Sequence, residues 1–498
     1  MKPEPRLLSQ LLQGLVDVPP ALDVQVSHLT ADSRDVVPGS VFIALSGLNR
    51  DGGQFVVEAI ARGARAVVRE GAQPNLEVAD GVVQVVLQDL RAAMGQMAQR
   101  FFGDTSVRIP LIGVTGTNGK SSTTHYIAQM LAEIGQPCGL IGTLGYGLVP
   151  HLREASHTTP DCLRLHAELA SMEAEGARAV AMEVSSHALD QQRVAGLRFQ
   201  GAVFTNLSRD HLDYHGDMAA YAAAKQRLFE RGELGFAVIN RDDAFGRELL
   251  AKLSPTVARL SFAVSDSDAD LTVTRVRYDR QGIEAEIQYG DQQGTLRCGL
   301  MGDFNLSNVL AAAGVLLSLG HPLEVVLNCA ENLQPVLGRM QKLPRTTGPV
   351  VIVDYAHTPD ALDQALRATA LHQPGRIWCV FGCGGDRDRG KRPLMAAIGA
   401  RHGAQLVITN DNPRTESPEQ IVQDILAGVP SGAAVKVLHD RESAIAWAIG
   451  QADAADIVLI AGKGHEPYQE IQGVRVPFSD VAVASQYLEQ RQVQEVRA

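Results

Sequence analysis

The sequence predicts an α/β protein with three domains, and two observations lead to this class. Short apolar runs of the kind that form buried parallel strands alternate with segments of helical periodicity through the central and last parts of the chain. The chain also has 498 residues, too many for one hydrophobic core, since domains average roughly 150 residues. We expect the domains at residues 1–105, 106–337 and 338–498.

The first segment has the pattern of a small α/β module. Residues 1–20 predict an amphipathic helix, because polar positions interrupt the apolar ones. Apolar runs predict strands at 41–45, 66–68 and 82–87, and helical spacing predicts helices at 55–62 and 90–101.

The central segment predicts a mostly parallel sheet of the kind found in phosphate-loop ATPases. The runs PLIGVTG, RAVAMEV and GAVFTNL are typical of buried strands, and residues 120–134 predict a helix. Residues 270–300 alternate apolar and polar positions about a turn at 280–282, which predicts an inserted β-hairpin. A further helix is expected at 305–319.

The last segment predicts a doubly wound, Rossmann-like sheet. Four apolar runs, VVIVDY, RIWCVFG, AQLVIT and ADIVLIAG, are typical of buried strands, and helical patterns separate them.

The amino-acid composition limits which binding partners and which cellular compartment we expect for the protein. The formal net charge of −11 disfavours nucleic-acid binding, which needs a cationic surface. No run of about 18 apolar residues is present, so we expect no membrane-spanning helix. The six cysteines are scattered without a CxxC pair, which favours free thiols in a reducing compartment. We therefore expect a cytoplasmic protein that binds small molecules.

The strongest single signal is a glycine-rich loop between a strand and a helix, in the string IGVTGTNGKSSTTH that begins at Ile112. Backbone N–H groups of such a loop bind phosphate oxygens, and the helix N-terminus adds a positive dipole end. Lys120 would reach the β- and γ-phosphates, and the Ser121 hydroxyl would lie near Mg²⁺. A tight turn with a surface lysine is the alternative. The candidate ATP-binding residues here are Gly116, Thr117, Asn118, Gly119, Lys120, Ser121 and Ser122.

Three further candidates lie in the central segment. Glu183 ends one strand run and His211 follows another, and such side chains can hold a metal ion beside bound phosphates. A solvated acid and a surface histidine are the alternatives. Lys225 lies in the helical pattern YAAAKQRLF, where a surface lysine is the ordinary interpretation.

The string GTNGKS after a strand resembles the ATP loop of the superfamily that contains the Mur ligases and folylpolyglutamate synthetase. This resemblance implies ATP as co-substrate and two magnesium ions. It implies as metal ligands Ser121, Glu183, His211 and a Lys225 that is carbamylated to N6-carboxylysine. It also makes Lys120, Glu183, His211 and Lys225 the catalytic set.

The same resemblance implies nucleotide contacts later in the chain. Asn305 and Asn308, in GDFNLSNVL, would contact adenine, although Asp303 or Asn305 is also a good helix N-cap. Arg339, in LGRM, and Asp354, in DYAHTPD, would approach the ribose and phosphates. A helix start capped by Thr358 explains only part of that second string.

Four strings resemble the Mur ligase site for a nucleotide-linked precursor. The region of DSR and GLNRDG is similar to the UDP end of that site, and HTTPD and SSHALDQQR are similar to its muramoyl-peptide contacts. His157 stands where we expect Asn. The implied residues are Ala31, Ser33, Leu48, Asn49, Arg50, His157, Thr158, Thr159, Ser185, Gln191 and Arg193.

The string DNPR at 411–414 resembles the mark of the diaminopimelate-adding Mur ligases. Diaminopimelate differs from lysine by one extra carboxylate, which Arg414 can bind bidentately, whereas its charge would disfavour an ammonium. GKGHE at 462–466 resembles the family's site for the same ligand, and Arg387 matches an amino-acid-binding arginine. The implied residues are Arg387, Asp411, Asn412, Pro413, Arg414, Gly462 and Glu466.

The resemblance covers nearly the whole chain. It implies a monomeric, ATP-dependent ligase of peptidoglycan synthesis that joins meso-diaminopimelate to the D-glutamyl carboxylate of a UDP-muramoyl dipeptide through an acyl phosphate. The alternatives are a lysine-adding sister ligase, folylpolyglutamate synthetase, and a nucleotide-binding regulator that reuses the fold without turnover.

Overall fold

The computed structural model describes residues 4–47, 51–155, 157–345, 347–372 and 375–497. The chain forms two compact units, one of residues 1–269 with 311–321 and the other of residues 270–310 with 322–498. Within the described ranges, no helix is both long and apolar enough to cross a membrane. All six cysteines are buried free thiols.

The amino-terminal part of the first unit is a small sheet with helices. Its strands are β1 (Arg6–Leu7), β2 (Gln25–Val26), β3 (His28–Thr30), β4 (Ser40–Ala44), β5 (Ala66–Glu70), β6 (Asn75–Ala79) and β7 (Val82–Leu87). Its α-helices are α1 (Leu8–Leu11), α2 (Val56–Ala61), α3 (Leu90–Phe102) and α4 (Thr105–Arg108), and 3₁₀ turns lie at Pro20–Leu22, Ser33–Asp35 and Gly52–Phe55. Five strands form one sheet in the order β3-β4-β5-β7-β6, in which β6 is antiparallel.

The amphipathic helix predicted within residues 1–20 is wrong in length. Among the described residues of that segment, 4–20, only Leu8–Leu11 is α-helical, and the short strand β1 precedes it. Gly14 adopts a φ of 73°, and Pro19 and Pro20 follow, so the chain turns away instead of continuing the helix. The apolar side chains of α1 are nevertheless buried in the core.

The rest of the first unit is a mostly parallel sheet. Its strands are β8 (Leu111–Thr115), β9 (Cys138–Gly142), β10 (Gly145–Leu148), β11 (Ala179–Glu183), β12 (Gly201–Phe204), β13 (Phe236–Asn240) and β14 (Ala258–Ala263). Its helices are α5 (Lys120–Glu133), α6 (Cys162–Ala174), α7 (Ser186–Asp190), α8 (Leu212–His215), α9 (Met218–Gln226) and α10 (Ala244–Lys252). Within this unit the strand order is β10-β9-β11-β8-β12-β13-β14. Strand β8 therefore lies between β11 and β12, whose carboxyl ends flank the loop that follows it.

The second unit contains an antiparallel meander and a second parallel sheet. Its strands are β15 (Leu271–Asp279), β16 (Gly282–Tyr289), β17 (Gln292–Cys298), β18 (Gln341–Lys342), β19 (Val350–Asp354), β20 (Ile377–Phe381), β21 (Gln405–Ile408), β22 (Val435–Val437), β23 (Ile457–Ala461), β24 (Tyr468–Ile471) and β25 (Val474–Pro477). The remaining helices are α11 (Asp303–Ser318), α12 (Leu323–Glu331), α13 (Pro359–Leu371), α14 (Lys391–Arg401), α15 (Pro418–Leu426), α16 (Arg441–Gln451) and α17 (Asp480–Arg497). The parallel sheet has the order β18-β19-β23-β20-β21-β22, with β18 antiparallel to β19.

The sequence explains these elements through burial and capping. Strands β8, β11, β20 and β23 consist entirely of buried residues, as expected for parallel strands covered on both faces. Several helices begin at a side-chain cap: Asp89, Ser185 and Thr358 each accept a hydrogen bond from the first turn of α3, α7 and α13.

The fold-class prediction is confirmed, and so is the hairpin in 270–300, whose strands β15 and β16 pair across residues 279–282. A third strand, β17, extends that hairpin and was not predicted. Strand β10 was also not predicted, because its sequence, GYGL, lacks the continuous apolar run of the buried strands.

Candidate functional site

The glycine-rich loop that joins β8 to α5 has a fixed shape. Gly116 has a φ of +152°, and a Cβ atom there would lie 1.9 Å from Thr205 Oγ1, so only glycine fits this turn. Thr117 N donates to Asn206 O at 2.8 Å, and Asn118 N donates to Asn206 Oδ1 at 3.0 Å. The segment after β12 thus holds the phosphate loop in place.

The helix α5 begins directly after this loop. Gly119, at its N-cap, has a left-handed φ of 84°, and Lys120 is the first helical residue. Ser121 is half-buried and Ser122 is buried in the first turn. The first-turn N–H groups and the positive end of the helix dipole make this an anion-binding end.

Two lysine side chains converge on one carbonyl oxygen of the loop. Lys120 Nζ donates to Gly116 O at 2.9 Å and to Thr117 O at 2.8 Å, and Lys225 Nζ donates to Gly116 O at 2.8 Å. Lys225 is 1% exposed, and its Nζ lies 4.3 Å from the ring centre of Tyr221. Burial, reinforced by the charge of Lys120, lowers the pKa of Lys225 to about 6. The Lys225 side chain is therefore a neutral amine at pH 7, and not a surface cation.

Glu183 lies at the end of β11 with its carboxylate 1% exposed. Its Oε1 accepts a hydrogen bond from Thr143 N at 2.8 Å, and its Oε2 accepts one from Thr143 Oγ1 at 3.3 Å. Thr115, which ends the neighbouring strand β8, has a buried hydroxyl without a hydrogen-bond partner among the described residues. A buried carboxylate and an unpaired hydroxyl at adjacent strand ends suit a hydrated divalent cation.

His211 lies immediately before α8 in a cluster of aromatic rings. Its backbone is left-handed, with φ 52° and ψ 28°. The centre of its imidazole ring is 4.8 Å from that of His187 and 6.0 Å from that of Tyr221, and its Nε2 is 3.5 Å from Asp210 Oδ2. Because the Tyr221 ring also lies next to Lys225 Nζ, one ring joins these two predicted site residues.

Four of the predicted peptide-binding residues form one hydrogen-bonded group beside Glu183. Thr159 Oγ1 donates to Glu183 O at 2.8 Å, and Ser185 N donates to Thr159 Oγ1 at 3.2 Å. Arg193 Nη1 donates to Thr159 O at 2.9 Å, while its Nη2 donates to Gln191 Oε1 at 2.7 Å. The structure thus brings together residues from HTTPD and SSHALDQQR.

The remaining precursor residues are more dispersed. Thr158 Oγ1 lies 3.0 Å from Thr143 Oγ1, next to the Glu183 contacts, whereas His157 is exposed. Ser33 is buried, and its hydroxyl donates to Glu58 Oε2 at 3.1 Å. Ala31, which precedes it, is half-buried. The predicted residues Leu48, Asn49 and Arg50 lie outside the described residues.

Arg91 was not predicted, yet it connects the amino-terminal module with the peptide-binding group. Its Nη1 donates to Gln191 O at 3.3 Å, and its Nη2 donates to Ser46 O at 2.9 Å. A lone arginine on the predicted helix 90–101 carried no pattern that would have singled it out.

In the second unit, Asp354 and Arg339 lie around the end of β19. The Asp354 carboxylate accepts hydrogen bonds from Met340 N at 2.7 Å and Ala356 N at 2.8 Å, and burial raises its pKa. The Arg339 guanidinium lies 4.9 Å from the ring centre of Tyr355. Its buried Nε has no hydrogen-bond partner within the described residues, so a donor remains for a ligand.

Asn305 and Asn308 lie inside α11, so the N-cap interpretation of Asn305 is wrong. The helix begins at Asp303, and Asn305 Nδ2 donates backward to Met301 O at 2.8 Å. Asn308 Nδ2 in turn donates to Asn305 Oδ1 at 3.4 Å. Both amides are buried.

Asn412 is the centre of a buried polar network formed by the DNPR turn and the GKGHE segment. Its Oδ1 accepts hydrogen bonds from Lys463 Nζ at 2.9 Å and Glu470 N at 3.0 Å. Its Nδ2 donates to Glu466 Oε2 at 2.9 Å, and Lys463 Nζ donates to the same oxygen at 3.1 Å. Lys463 is fully buried and was not predicted, although it lies inside the GKGHE string.

Asp411 and Gly462 fit closely together in the same region. Asp411 Oδ1 accepts a hydrogen bond from Asn412 N at 2.8 Å, and its buried Oδ2 has no partner in the described part of the chain. Gly462 has a φ of +118°, and a Cβ atom there would lie 2.6 Å from that Oδ2. Pro413 O accepts from Glu416 N at 3.1 Å and closes the turn. An unpaired carboxylate oxygen is an acceptor for a ligand ammonium.

Arg414 and Arg387 flank Gly384 in the glycine-rich loop after β20. A Cβ atom at Gly384 would lie 3.0 Å from Arg414 Nη1 and 3.8 Å from Arg387 Cγ. Arg414 Nη1 donates to Gly385 O at 2.6 Å, and its Nε lies 3.5 Å from Glu470 Oε2. Arg387 is exposed. The two predicted arginines therefore lie in adjoining loops.

Two fully buried arginines form hydrogen bonds with residues that flank the DNPR turn. Arg441 donates to both carboxylate oxygens of Asp480 at 2.7 Å and to Asn410 O at 3.4 Å. Arg392 donates to both carboxylate oxygens of Glu416, at 2.9 and 3.0 Å. Sequence pattern predicted neither, because each partner lies far along the chain.

A strand-to-helix phosphate loop on a parallel sheet, with two lysines and a buried carboxylate at its rim, defines an enzyme that binds a nucleoside triphosphate. Three family models match the chain: "Mur ligase family, catalytic domain" at 25–102, "Mur ligase middle domain" at 114–316 and "Mur ligase, glutamate ligase domain" at 338–464.

Individual relatives agree with these matches. The UDP-N-acetylmuramoyl-L-alanyl-D-glutamate–2,6-diaminopimelate ligase of Ectopseudomonas mendocina is 50% identical over 467 residues, which cover 93% of this chain and 95% of that protein. The ligase of the same name from Xylella fastidiosa is 49% identical over 488 residues, with 97% and 98% covered. A solved structure of a ligase of that name has a TM-score of 0.78 and 37% identity, covering 98% of this chain and 100% of that one. The chain belongs to the Mur ligase family, whose members are ATP-dependent ligases.

Proposed function

We propose that this enzyme joins meso-diaminopimelate to the D-glutamyl side-chain carboxylate of UDP-N-acetylmuramoyl-L-alanyl-D-glutamate in peptidoglycan synthesis. The names of its relatives at about half identity support this activity. The observation that carries the amino-acid specificity is the DNPR turn, where Arg414 lies beside a buried network of Asn412, Lys463 and Glu466.

We assign the substrates to the three predicted segments. Residues 1–105 bind the UDP end of the precursor, 106–337 bind ATP, and 338–498 bind the amino acid. The buried Ser33 and the Arg91 contact with Gln191 support the first assignment, and the fixed phosphate loop supports the second. The charged groups around Arg414 support the third.

ATP binding rests on the loop and its neighbours. The N–H groups from Gly116 to Ser122 and the dipole of α5 favour the phosphates, and Lys120 offsets the charge that builds on the transferred phosphoryl group. Asn305 and Asn308 would contact adenine. Arg339, with its unpaired Nε, and Asp354 would contact the ribose and phosphates.

Two magnesium ions fit the residues around the loop. Magnesium prefers oxygen ligands, and the Glu183 carboxylate and the Ser121 and Thr115 hydroxyls would supply them, with His211 as a further ligand. When bound, the ions would neutralise charge on the phosphates.

Lys225 would complete this set as a carbamate. A neutral amine is the form that adds carbon dioxide, and burial beside Lys120 gives Lys225 a pKa of about 6. Addition forms an N–C bond and releases a proton, which converts the amine into an anionic carboxylate suited to magnesium.

The reaction itself needs two transfers. A D-glutamyl carboxylate oxygen attacks the γ-phosphorus of ATP, and ADP leaves, which gives an acyl phosphate. An amine of diaminopimelate attacks the acyl carbon, the tetrahedral intermediate loses phosphate, and the nitrogen loses a proton to form the amide. Thr158, Thr159, Ser185, Gln191 and Arg193 would hold the precursor so that its carboxylate meets the γ-phosphate.

Recognition of the amino acid follows from charge. Arg414 would bind the distal carboxylate of diaminopimelate, assisted by Arg387 in the adjoining loop. Glu466 and the unpaired Asp411 Oδ2 would accept hydrogen bonds from the distal ammonium. Lysine has no carboxylate to offset the charge of Arg414, so it should bind poorly.

An amino-acid panel tests the proposal. Purified enzyme with ATP, magnesium and the UDP-muramoyl dipeptide should release ADP with meso-diaminopimelate and much less with lysine. Arg414→Ala should raise the KM for diaminopimelate by about 10- to 100-fold, the usual cost of a lost charged hydrogen-bond pair. Arg367→Ala, which removes an exposed arginine on α13, is the matched control and should leave KM unchanged.

Each outcome of the panel selects one activity. Equal turnover with lysine would indicate the lysine-adding ligase, and ATP binding without substrate-dependent ADP release would indicate a regulator.

We further propose that the enzyme acts as a monomer in the cytoplasm. Its six free thiols suit the reducing conditions of that compartment.

A further inference from the structure

Glu470 lies on strand β24, and its main chain forms hydrogen bonds with two residues of the DNPR turn. Its N–H donates to Asn412 Oδ1 at 3.0 Å, and its carbonyl accepts from Arg414 N at 3.0 Å. Arg414 O then accepts from Gln472 N at 2.7 Å. The main chain of Glu470, and not its carboxylate, therefore sets the position of this residue relative to Arg414.

The carboxylate of Glu470 faces the Arg414 guanidinium. Its Oε2 lies 3.5 Å from Arg414 Nε, and the two side chains are 26% and 21% exposed. Arg475 is directly opposite Glu470 on β25, yet its guanidinium lies 4.4 Å from the ring centre of Tyr468. Within the described residues, Arg414 is the cation that pairs with Glu470.

Arg414 presents one edge for a bidentate carboxylate contact. Its Nη1 is bonded to Gly385 O, whereas Nε and Nη2 make no hydrogen bond within the described ranges. Guanidinium groups bind carboxylates through two parallel N–H groups, and the Nε and Nη2 pair offers them. The Glu470 carboxylate lies at the Nε end of that edge.

We propose that Glu470 is a specificity-determining residue that acts as the resident counter-ion of Arg414. This inference rests on the proposed function, because it takes Arg414 as the group that binds the distal carboxylate of diaminopimelate. The incoming carboxylate must displace or share the position of the Glu470 carboxylate on the guanidinium edge. Glu470 thereby weakens the binding of diaminopimelate and reduces the repulsion that Arg414 exerts on the ammonium of lysine.

Glu470→Gln tests the charge while it keeps the size and the main-chain contacts. The KM for diaminopimelate should fall about two- to fivefold, the range of a partly exposed ion pair, with kcat unchanged. Turnover with lysine at a fixed concentration should fall at the same time. Glu324→Gln, which removes an exposed carboxylate from α12 in the same unit, controls for net charge and should change neither value.

A double-mutant cycle with Arg414→Ala separates this role from a structural one. In the Arg414→Ala background, Glu470→Gln should no longer lower KM, because the paired cation is gone. An unchanged or raised KM in Glu470→Gln alone, or a fall that persists without Arg414, would overturn the counter-ion role. If Arg414→Ala itself leaves KM at the wild-type value, the assignment of Arg414 in the proposed function fails instead. Melting temperatures of all variants check that each one is folded.

Discussion

The phosphate loop and the proposed amino-acid pocket, which we define as Arg387, Asp411, Asn412, Arg414, Gly462, Lys463 and Glu466, are built in different ways. The loop is one contiguous string whose shape follows from its own glycines and one neighbouring segment. The pocket combines three segments that are distant in sequence, and hydrogen bonds from the side chains of Asn412, Lys463 and Arg414 connect them. Substitutions near the loop should therefore change the chemical step, and substitutions in the pocket should change affinity for the amino acid.

The largest effect should come from Lys225, next to the loop. Lys225→Arg places a guanidinium there that cannot form a carbamate, so kcat should fall at least about 100-fold, the usual cost of losing one group that stabilises transition-state charge. The KM for diaminopimelate should stay near the wild-type value. Steady-state kinetics with each substrate varied in turn measures both.

The mass of the intact protein provides the direct test of the carbamate. In bicarbonate buffer, native mass spectrometry should detect one added carbon dioxide on the wild type and none on Lys225→Arg. Lys252→Arg, at an exposed lysine of α10, should keep both the added mass and the activity. An unmodified amine in fully active, magnesium-loaded enzyme would exclude the carbamate.

An intermediate effect should come from Lys463, inside the pocket. Lys463→Met removes one of the two donors to Asn412 Oδ1 and one of the two donors to Glu466 Oε2, and it leaves the Glu466 carboxylate without the lysine that pairs with it. The KM for diaminopimelate should rise about tenfold, while the KM for ATP should stay constant.

A matched control makes this test specific to the network. Lys436→Met removes an exposed lysine of β22 in the same unit and should leave both KM values unchanged. A parallel rise in the KM values for ATP and diaminopimelate after Lys463→Met would point to general loosening of the fold and contradict a role in the pocket.

This contrast also explains how far the sequence could predict the site. Gly116, Lys120 and the strand before them were predictable because backbone sterics and a helix N-terminus act over a few residues. The DNPR turn was predictable as a string. The orientation of Asn412 was not, because it depends on Lys463 and on the N–H of Glu470, more than 50 positions away.

The same reasoning applies to the fold. The buried parallel strands were predictable from their continuous apolar runs, whereas α1 ended early because Gly14 and two prolines outweigh apolar periodicity. Arg441 and Arg392 carried no local signal, since their carboxylate partners come from other helices and loops. Long-range polar pairing is thus the part of this molecule that one sequence does not reveal.

The smallest effect should come from His372, another contact in the second unit between distant segments. His372 is buried, its Nε2 accepts from Gly302 N at 2.8 Å, and its Nδ1 lies 2.6 Å from Asp279 O. The Gly302 contact needs the neutral ring, because a protonated Nε2 cannot accept a hydrogen bond, and burial lowers the pKa of His372 below the usual 6.5. Below pH 6.5 the unfolded chain therefore binds a proton that the folded chain does not, so stability is lost as pH falls through the folded pKa.

His372→Gln cannot gain that proton, so its stability should depend less on pH. Between pH 7 and pH 5, the wild-type melting temperature should fall further than that of His372→Gln, by a difference on the order of 2 °C. Other histidines titrate in the same window, and only the difference between the two proteins reports on His372. His439→Asn, at an exposed histidine, should follow the wild-type curve. Parallel curves for wild type and His372→Gln would mean that the pKa of His372 is the same in the folded and the unfolded chain, and the contact with Gly302 would then not hold the ring neutral.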